Sequence, residues 1–482
     1  MNFKSVFHLI AYLLEATGVS ILFCAAIAFL YGDPVSAKIG LLASGAIGVI
    51  SGALLAYCTR GPVLLSRRDG FGVVTFGWVA VALFGSLPYI LSGVILDPVS
   101  AMFETISGFT TTGASVLANL EVVPRGVLFW RALTQWFGGM GVLVLCVAIL
   151  PFLGVGGMQI YRAEMPGPSK DRLTPRIATT AKLLWGLYAM MSLVQTLLLM
   201  AGGMDWFDAS CHTFATMSTG GFSTRTASVA AYDSLYLDLV ITACMFIAGV
   251  NFALHFRALR GAPGVFWRDP EFRFYLLIWF LSGMFLSVNV FTVGIESAGG
   301  SLRHGFFQGT SILTTTGFAT RDFNLWPQAS RLLLVLLMFI GGCGGSTAGG
   351  VKAVRLLVLV KHIVRELGRV LRPQAVARIK LGRAPLDESV VANIVTFFLL
   401  FTAIFALMSF LMTFFTPDLV TATSAVAATL GNIGPGLGAV GAAETYAFIA
   451  APGKLILMLC MLLGRLELYT VLLLCMPAFW KK

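Results

Sequence analysis

The sequence predicts an all-α polytopic membrane protein: four pseudo-repeated units of span, half-helix, polar loop and span, preceded by two N-terminal transmembrane helices. Two observations predict it. The 482 residues are 57% hydrophobic and only 11% charged, with a mean hydropathy of +0.87, which lies outside the soluble globular range. A phrase of small polar residues also recurs four times: Thr110-Thr111-Thr112-Gly113, Met217-Ser218-Thr219-Gly220, Thr314-Thr315-Thr316-Gly317 and Gly431-Asn432-Ile433-Gly434. The closing glycines are 107, 97 and 117 residues apart. A period that long, with one signature at one point, indicates a structural unit used four times.

Taken in order, apolar runs of about 20 residues, enough to cross a bilayer, lie at 5–31, 37–57, 71–95, 127–153, 178–202, 235–256, 273–295, 330–362 with a break, 389–415 and 453–479. The first is too long for a signal peptide's apolar region and lacks a clean small-residue cleavage site, so it reads as a retained span. The net charge of +11 admits nucleic acid or membrane as partner, but the cations sit between spans, where they act as topology signals rather than as a nucleic-acid surface. Alternate connections hold 24 of the 33 Lys and Arg residues, among them Arg162, Lys170, Arg172 and the stretch Lys352 to Arg383. By the positive-inside rule that side is cytoplasmic, with both termini inside. The eight cysteines are scattered, with no CxxC and no paired spacing, so neither a disulfide framework nor a zinc site is expected.

The opposite side carries the polar connections 96–126, 203–234, 296–329 and 416–452, and each holds one phrase. Each begins with an apolar segment of about a dozen residues, such as 98–110 or 206–218, too short to span and suited to a re-entrant helix. Its negative dipole end faces the loop and favours a cation there. Four Thr/Gly-rich loops around one axis are what a monovalent-cation filter requires, because carbonyl and hydroxyl oxygens can replace the ion's hydration shell. The coordinating residues are expected to be Thr111, Thr112 and Gly113; Ser218, Thr219 and Gly220; Thr315, Thr316 and Gly317; and Asn432, Ile433 and Gly434. The fourth loop departs most, with a carbonyl-only contribution expected from Ile433. On this reading 1–70 holds the two N-terminal helices, 71–155 pore unit 1, 156–262 pore unit 2, 263–385 pore unit 3 and 386–482 pore unit 4.

Small residues recur in each second span, at Gly138-Gly139, Ala248-Gly249, Gly341-Gly342 and Gly464, 25 to 30 residues after the loop glycine. They mark a close approach at similar depth. The third second-span holds six glycines in ten residues, Gly341-Gly342-Cys343-Gly344-Gly345-Ser346-Thr347-Ala348-Gly349-Gly350. Each costs a helix about 1 kcal/mol relative to Ala, so the run is expected to unwind and form a movable gate below the filter, where irregular backbone is tolerated only within protein or a water-filled cavity. Arg465 lies mid-span in LLGRLELYT, where a charge is expensive and functional by default. It would brace the glycine-rich loop through carbonyls or raise an electrostatic barrier. Glu467 falls on another face and is a weak internal partner for it.

The twelve outer carboxylates (Asp33, Asp97, Glu104, Glu121, Asp205, Asp208, Asp233, Asp238, Glu296, Asp322, Asp418 and Glu444) read mostly as solvated loop charges that together concentrate cations. None is singled out as a ligand. Gly436 to Gly441 fits GxGxxG but follows no strand, Gly344 to Thr347 lacks a P-loop lysine, and His212 has no second ligand pair. The absence of HExxH, GxSxG and paired intramembrane aspartates argues against an enzyme.

These phrases, with FWRALTQWFGGMG (Phe129 to Gly141), GGCGGSTAGGVK (Gly341 to Lys352) and GRLELYT (Gly464 to Thr470), resemble the Trk/Ktr/HKT superfamily of potassium transporters over about residues 71–479. The two extra N-terminal spans make the chain more similar to the Trk-type bacterial membrane subunit than to the shorter Ktr type. The resemblance implies a potassium filter lined by Gly113, Gly220, Gly317 and Gly434, with Gly113, rather than serine, pointing to K⁺ over Na⁺. It implies a gate at Gly341, Gly342, Gly344, Gly345, Ser346, Thr347, Gly349 and Gly350 with Arg465 as gating arginine, and no bound organic cofactor. It also implies a homodimer docking a cytosolic TrkA-like nucleotide-binding ring, for which Lys361 to Arg383 is the candidate contact, with anionic lipid as the alternative. The expected function is K⁺ uptake across a bacterial inner membrane; the alternative is coupled K⁺:H⁺ or K⁺:Na⁺ symport.

Overall fold

The computed structural model describes residues 1–61, 66–148, 173–373, 378–382 and 384–480. The cations Arg162, Lys170, Arg172, Arg383, Lys481 and Lys482, and the end of the first outgoing span at 149–153, lie outside these. Two long apolar helices, Phe3–Leu30 and Val35–Cys58, come first. Asp33 in the turn between them accepts the backbone N–H groups of Arg125 (3.1 Å) and Gly126 (2.7 Å), which ties the pair to the first unit.

The unit then repeats four times. Its incoming helices are Arg67–Leu91, Leu173–Ala201, Pro270–Thr292 and Glu388–Met412. Its half-helices are Pro98–Phe109, Trp206–Met217, Ala298–Leu313 and Leu419–Leu430. A capping side chain starts each half-helix: Asp97, Asp205, Ser297 and Asp418 accept from the N–H of Ser100, Asp208, Gly300 and Thr421. An anionic cap also opposes the positive end of the helix dipole. Hydrogen bonds from Ser100 and from Thr421 hold Asp97 and Asp418 below the ordinary carboxylate range.

The outgoing helices differ from the straight spans expected. The first, Arg125–Ala148, is continuous. The third breaks between Gln328–Met338 and Ala353–Leu371, as the glycine run predicted. The second and fourth also break, against expectation: Leu235–Ala248 and Phe252–Leu259 meet at 100°, and Ala451–Arg465 and Leu468–Cys475 at 117°. In the second, the Gly249 carbonyl accepts from Cys343 N of the glycine run (2.8 Å) and Asn251 caps the new helix through Ala253 N (2.9 Å). In the fourth, Glu467 takes φ +61°.

Among the described residues, six helices are long and apolar enough to cross a membrane, and eight if each bent pair is one span. Arg125–Ala148 and the interrupted third outgoing helix occupy the other two expected places. The recurrent small residues sit where an outgoing helix meets the end of a half-helix. A Cβ on Gly138 would strike the carbonyl of Phe109, and one on Gly464 that of Leu430.

Candidate functional site

Each half-helix ends in the same backbone turn. Thr111, Thr219, Thr315 and Asn432 are left-handed, with φ of 53°, 55°, 60° and 55°. Such a conformation costs a non-glycine residue about 1–3 kcal/mol and persists only where its surroundings impose it. Here the cause is hydrogen bonding: the N–H groups of Thr112, Gly220, Thr316 and Ile433 turn back to the carbonyls of Ser107, Ala215, Ser311 and Ala428, each at 2.8 Å. With their donors committed to the half-helix, the loops present carbonyl oxygens on the opposite side.

One residue further on, Gly113, Gly221, Gly317 and Gly434 have φ of 84°, 75°, 83° and 97°. Their missing side chains define the ring. A Cβ on Gly113 would collide with the carbonyl oxygen of Gly220, on Gly221 with that of Thr316, on Gly317 with that of Ile433, and on Gly434 with that of Thr112. The fourth loop therefore returns to the first, and four equivalent carbonyls close a cycle. The second loop corrects the expected register by one residue: Gly221 corresponds to Gly113, and Gly220 takes the place of Thr112. Gly221-Phe222 beside Gly317-Phe318 was the signal in the sequence that sets this alignment.

Outside the ring the same cyclic order is fastened again. The first and second connections join where Leu120 N donates to Thr226 Oγ1 (2.9 Å) and Thr226 N to Glu121. Ala230 N donates to Ala319 O (3.1 Å) between second and third, and Gly438 N to Asn324 Oδ1 (3.0 Å) between third and fourth. Tyr446 N donates to Ser115 O (2.9 Å), closing fourth to first.

The loop hydroxyls mostly brace the ring. Thr110 and Thr112 share a hydrogen bond at 2.8 Å, as do Thr314 and Thr316. Ser218 Oγ donates to Phe214 O, Thr219 Oγ1 to Ser218 O, and Asn432 Nδ2 to Thr112 Oγ1. The Thr111 hydroxyl is buried without a hydrogen-bond partner. The carbonyls are thus the main oxygens the ring offers to a cation.

The glycine-rich run lies directly against these loops. Gly349 N donates to Thr315 Oγ1 (2.7 Å), and Thr347 Oγ1 to Met217 O (2.9 Å) at the end of the second half-helix. Gly341, Gly345 and Gly350 have positive φ, as does Lys352 at 79°. Gly342 O accepts Ala353 N, Gly345 O accepts Phe252 N, and Ser346 Oγ bonds Cys343 O. Gly344 N (2.6 Å) and Val354 N (3.1 Å) both donate to Glu271 Oε1, so one carboxylate holds both sides of the run.

Arg465 is the last residue of its helix, at the break, and is 3% exposed. Its Nη1 donates to Thr347 O (2.7 Å) in the run and its Nη2 to Gly138 O (3.0 Å) in the first outgoing helix. Glu467 pairs with Arg355 at 2.5 Å, immediately after the run, and Arg355 lies 4.1 Å over the Phe397 ring. The breaks of the third and fourth outgoing helices are therefore joined by an ion pair. Glu271, Arg355 and Glu467 were not singled out from sequence in this arrangement; for Arg355 and Glu467 the available signal was a charge inside an apolar run, and Glu271, just ahead of its run, offered none.

The carboxylates expected to lie on the outer side are more structural than expected. Glu104, fully buried, pairs with Arg131 at 2.5 Å, Asp208 with Arg225 at 2.9 Å, Asp238 with Arg303 at 2.7 Å and Glu296 with Arg321 at 2.8 Å. Burial requires such pairing, because an isolated charge is not tolerated there. His212 is a packed half-helix residue bonded to Asp208 O and Ser223 Oγ, and no group of three metal-ligating side chains occurs among the described residues.

A family model described as "TrkH: Cation transport protein" matches residues 41–482. The chain is 44% identical to the Trk system potassium uptake protein TrkH of Halomonas elongata, over 87% of each chain. It is 43% identical to the TrkH of Escherichia coli K12, also over 87% of each, and 40% identical to that of Vibrio parahaemolyticus over the whole of both. The crystal structure of the potassium transporter TrkH from Vibrio parahaemolyticus superposes with a TM-score of 0.92 at 38% identity, covering all of both chains.

Proposed function

The chain belongs to the TrkH family of cation transport proteins and is a multi-pass Trk-type potassium uptake transporter, and on that premise we propose that K⁺ crosses the membrane through the ring of four loops. The observation that carries this reading is the closed cycle of carbonyls from Thr112, Gly220, Thr316 and Ile433, with Gly113, Gly221, Gly317 and Gly434 making room for them. Carbonyl dipoles can replace the hydration shell of a monovalent cation, and the negative ends of four half-helices add to their field. Ser218, Thr219, Thr315 and Asn432 brace the loops through their hydrogen bonds, and Thr111 forms the left-handed turn of the first. The division of the chain at 70, 155, 262 and 385 follows the same repeat.

In this reading the Gly341 to Gly350 run is the gate, held closed by Arg465. Flux in this reading is channel-like; among the described residues each buried carboxylate (Asp33, Asp69, Glu104, Asp208, Asp238 and Glu271) is engaged by an arginine or by backbone N–H groups. The helix Ala353–Leu371 leaves the gate directly and carries Lys361, Arg365 and Arg369. It is suited to transmit the docking of a TrkA-like nucleotide-binding ring, with the chain acting as a homodimer in the bacterial inner membrane and both termini cytoplasmic.

The test is K⁺ and Na⁺ flux into liposomes containing the purified protein, alongside Gly113→Ser and Gly434→Ser. A Cβ at either position meets a carbonyl of the ring, so both variants should lose K⁺ flux or K⁺ preference. Unchanged flux and preference in both would remove the ring from the ion path.

A further inference from the structure

At the ring carbonyl three loops carry a side chain, Thr112, Thr316 and Ile433, while the second carries Gly220. Gln135 accounts for the difference. It stands on the first unit's outgoing helix, Arg125–Ala148, is fully buried, and places its amide where a side chain at 220 would begin. A Cβ on Gly220 would lie 2.6 Å from Gln135 Oε1 and 2.7 Å from Nε2.

The amide uses both of its functions on that loop. Gln135 Nε2 donates to Gly220 O at 2.6 Å, and Gln135 Oε1 accepts from Phe222 N at 3.0 Å. The two bonds straddle Gly221, the glycine packed against Thr316 O. Among the described residues no other ring carbonyl receives a side-chain donor. Gly220 O is therefore restrained from two sides: by its own half-helix through the backbone, and by a neighbouring unit through Gln135. A donor on a carbonyl also withdraws electron density, so this oxygen is both less mobile and a weaker cation ligand than its three counterparts.

Resting on the ring as the ion path, we propose that Gln135 is a positioning residue that sets ion selectivity by keeping the Gly220 carbonyl from moving inward. A ring that cannot contract disfavours the smaller Na⁺, which needs shorter oxygen contacts than K⁺ to replace its hydration shell. Loss of the amide frees one quarter of the ring to follow the smaller ion.

The experiment compares K⁺ and Na⁺ uptake in liposomes for the unmodified protein, Gln135→Met and Gln135→Glu. Methionine keeps the length and loses both bonds; glutamate, assayed at alkaline pH where even a buried carboxyl is ionised, accepts from Phe222 N but cannot donate to Gly220 O. The K⁺:Na⁺ uptake ratio should fall by about fivefold or more in both, the size of effect one lost hydrogen bond produces, while each variant remains monodisperse in detergent. If Gln135→Met does not fold, the Gln135→Glu ratio decides. A second arm tests the shared space: Gly220→Ala should abolish K⁺ uptake, and Gln135→Ala combined with Gly220→Ala should restore part of it. An unaltered ratio in the Glu variant, with no rescue in the double variant, overturns the proposal while leaving the ring as the ion path. Absence of K⁺ preference in the unmodified protein overturns the ring reading itself.

Discussion

Replacing Arg465 by alanine removes two charge-assisted hydrogen bonds, to Thr347 O at 2.7 Å and Gly138 O at 3.0 Å. A hydrogen bond with one charged partner contributes about 1.5–3 kcal/mol. The lower figure for both bonds gives about 3 kcal/mol holding the glycine-rich run between the first and fourth units. Every 1.4 kcal/mol is a factor of about ten in an equilibrium. If the closed run is held chiefly by this bridge, Arg465→Ala should raise the open fraction by about two orders of magnitude. The assay is K⁺ efflux from liposomes at matched protein density, read as initial rate. Arg465→Lys separates the two roles open to this residue. A lysine keeps the charge but not the planar fork that reaches two carbonyls on different units. A rate near that of the alanine variant identifies a tether, and a rate near the unmodified protein identifies an electrostatic barrier. Basal efflux unchanged in both variants would refute any part for Arg465 in closure.

Other consequences are checked more simply. Glu271→Ala leaves the Gly344 and Val354 N–H groups without their acceptor; at about 1–3 kcal/mol for each buried donor, it should lower the thermal midpoint and raise basal flux, while Glu271→Gln, which keeps one acceptor oxygen, should do so less. Gly317→Ala combines φ +83° with a collision against Ile433 O, so K⁺ flux should disappear even where the protein is purified intact, as judged by gel filtration. Asp418→Ala removes the Thr421 cap and should cost about 1 kcal/mol of stability. Because the Asp97 and Asp418 carboxylates are depressed in the folded state, their stabilisation is present above the ordinary aspartate pKa and is lost as pH falls through the lowered folded value. A melting series in acid should therefore flatten in a variant carrying Asp97→Asn and Asp418→Asn.

Much of this arrangement was legible in the residues because the physics is local. A dozen apolar residues behind a capping Asp or Ser cannot span a bilayer, and six glycines in ten cannot hold a helix. What escaped was decided by tertiary competition. The run from Leu235 to Leu259 stays apolar through Gly249-Val250-Asn251, yet the Gly249 carbonyl goes to Cys343 N, and the helix turns. LLGRLELYT reads as one helix, but Arg465 and Glu467 are drawn to opposite partners, Thr347 and Arg355, and the chain breaks between them. At the Gly220-Gly221 pair the expected register was one residue off, because the ring glycine is Gly221. The side chain that occupies the space at Gly220, Gln135, lies 85 residues earlier on another unit. Pairing of Glu104 with Arg131 was likewise hidden, since neither charge reveals from sequence alone which neighbour it meets.

The central claim is that four carbonyl-lined loops pass K⁺ without a coupled ion. Current across a bilayer containing the purified protein, recorded with K⁺ on one side and Na⁺ on the other, tests it most directly. The account predicts reversal close to the K⁺ Nernst potential, unmoved when a proton gradient is imposed, with the current either lost or shifted toward Na⁺ in Gly113→Ser. A reversal potential that follows the pH gradient, or one equally placed between K⁺ and Na⁺ in the unmodified protein, would contradict it.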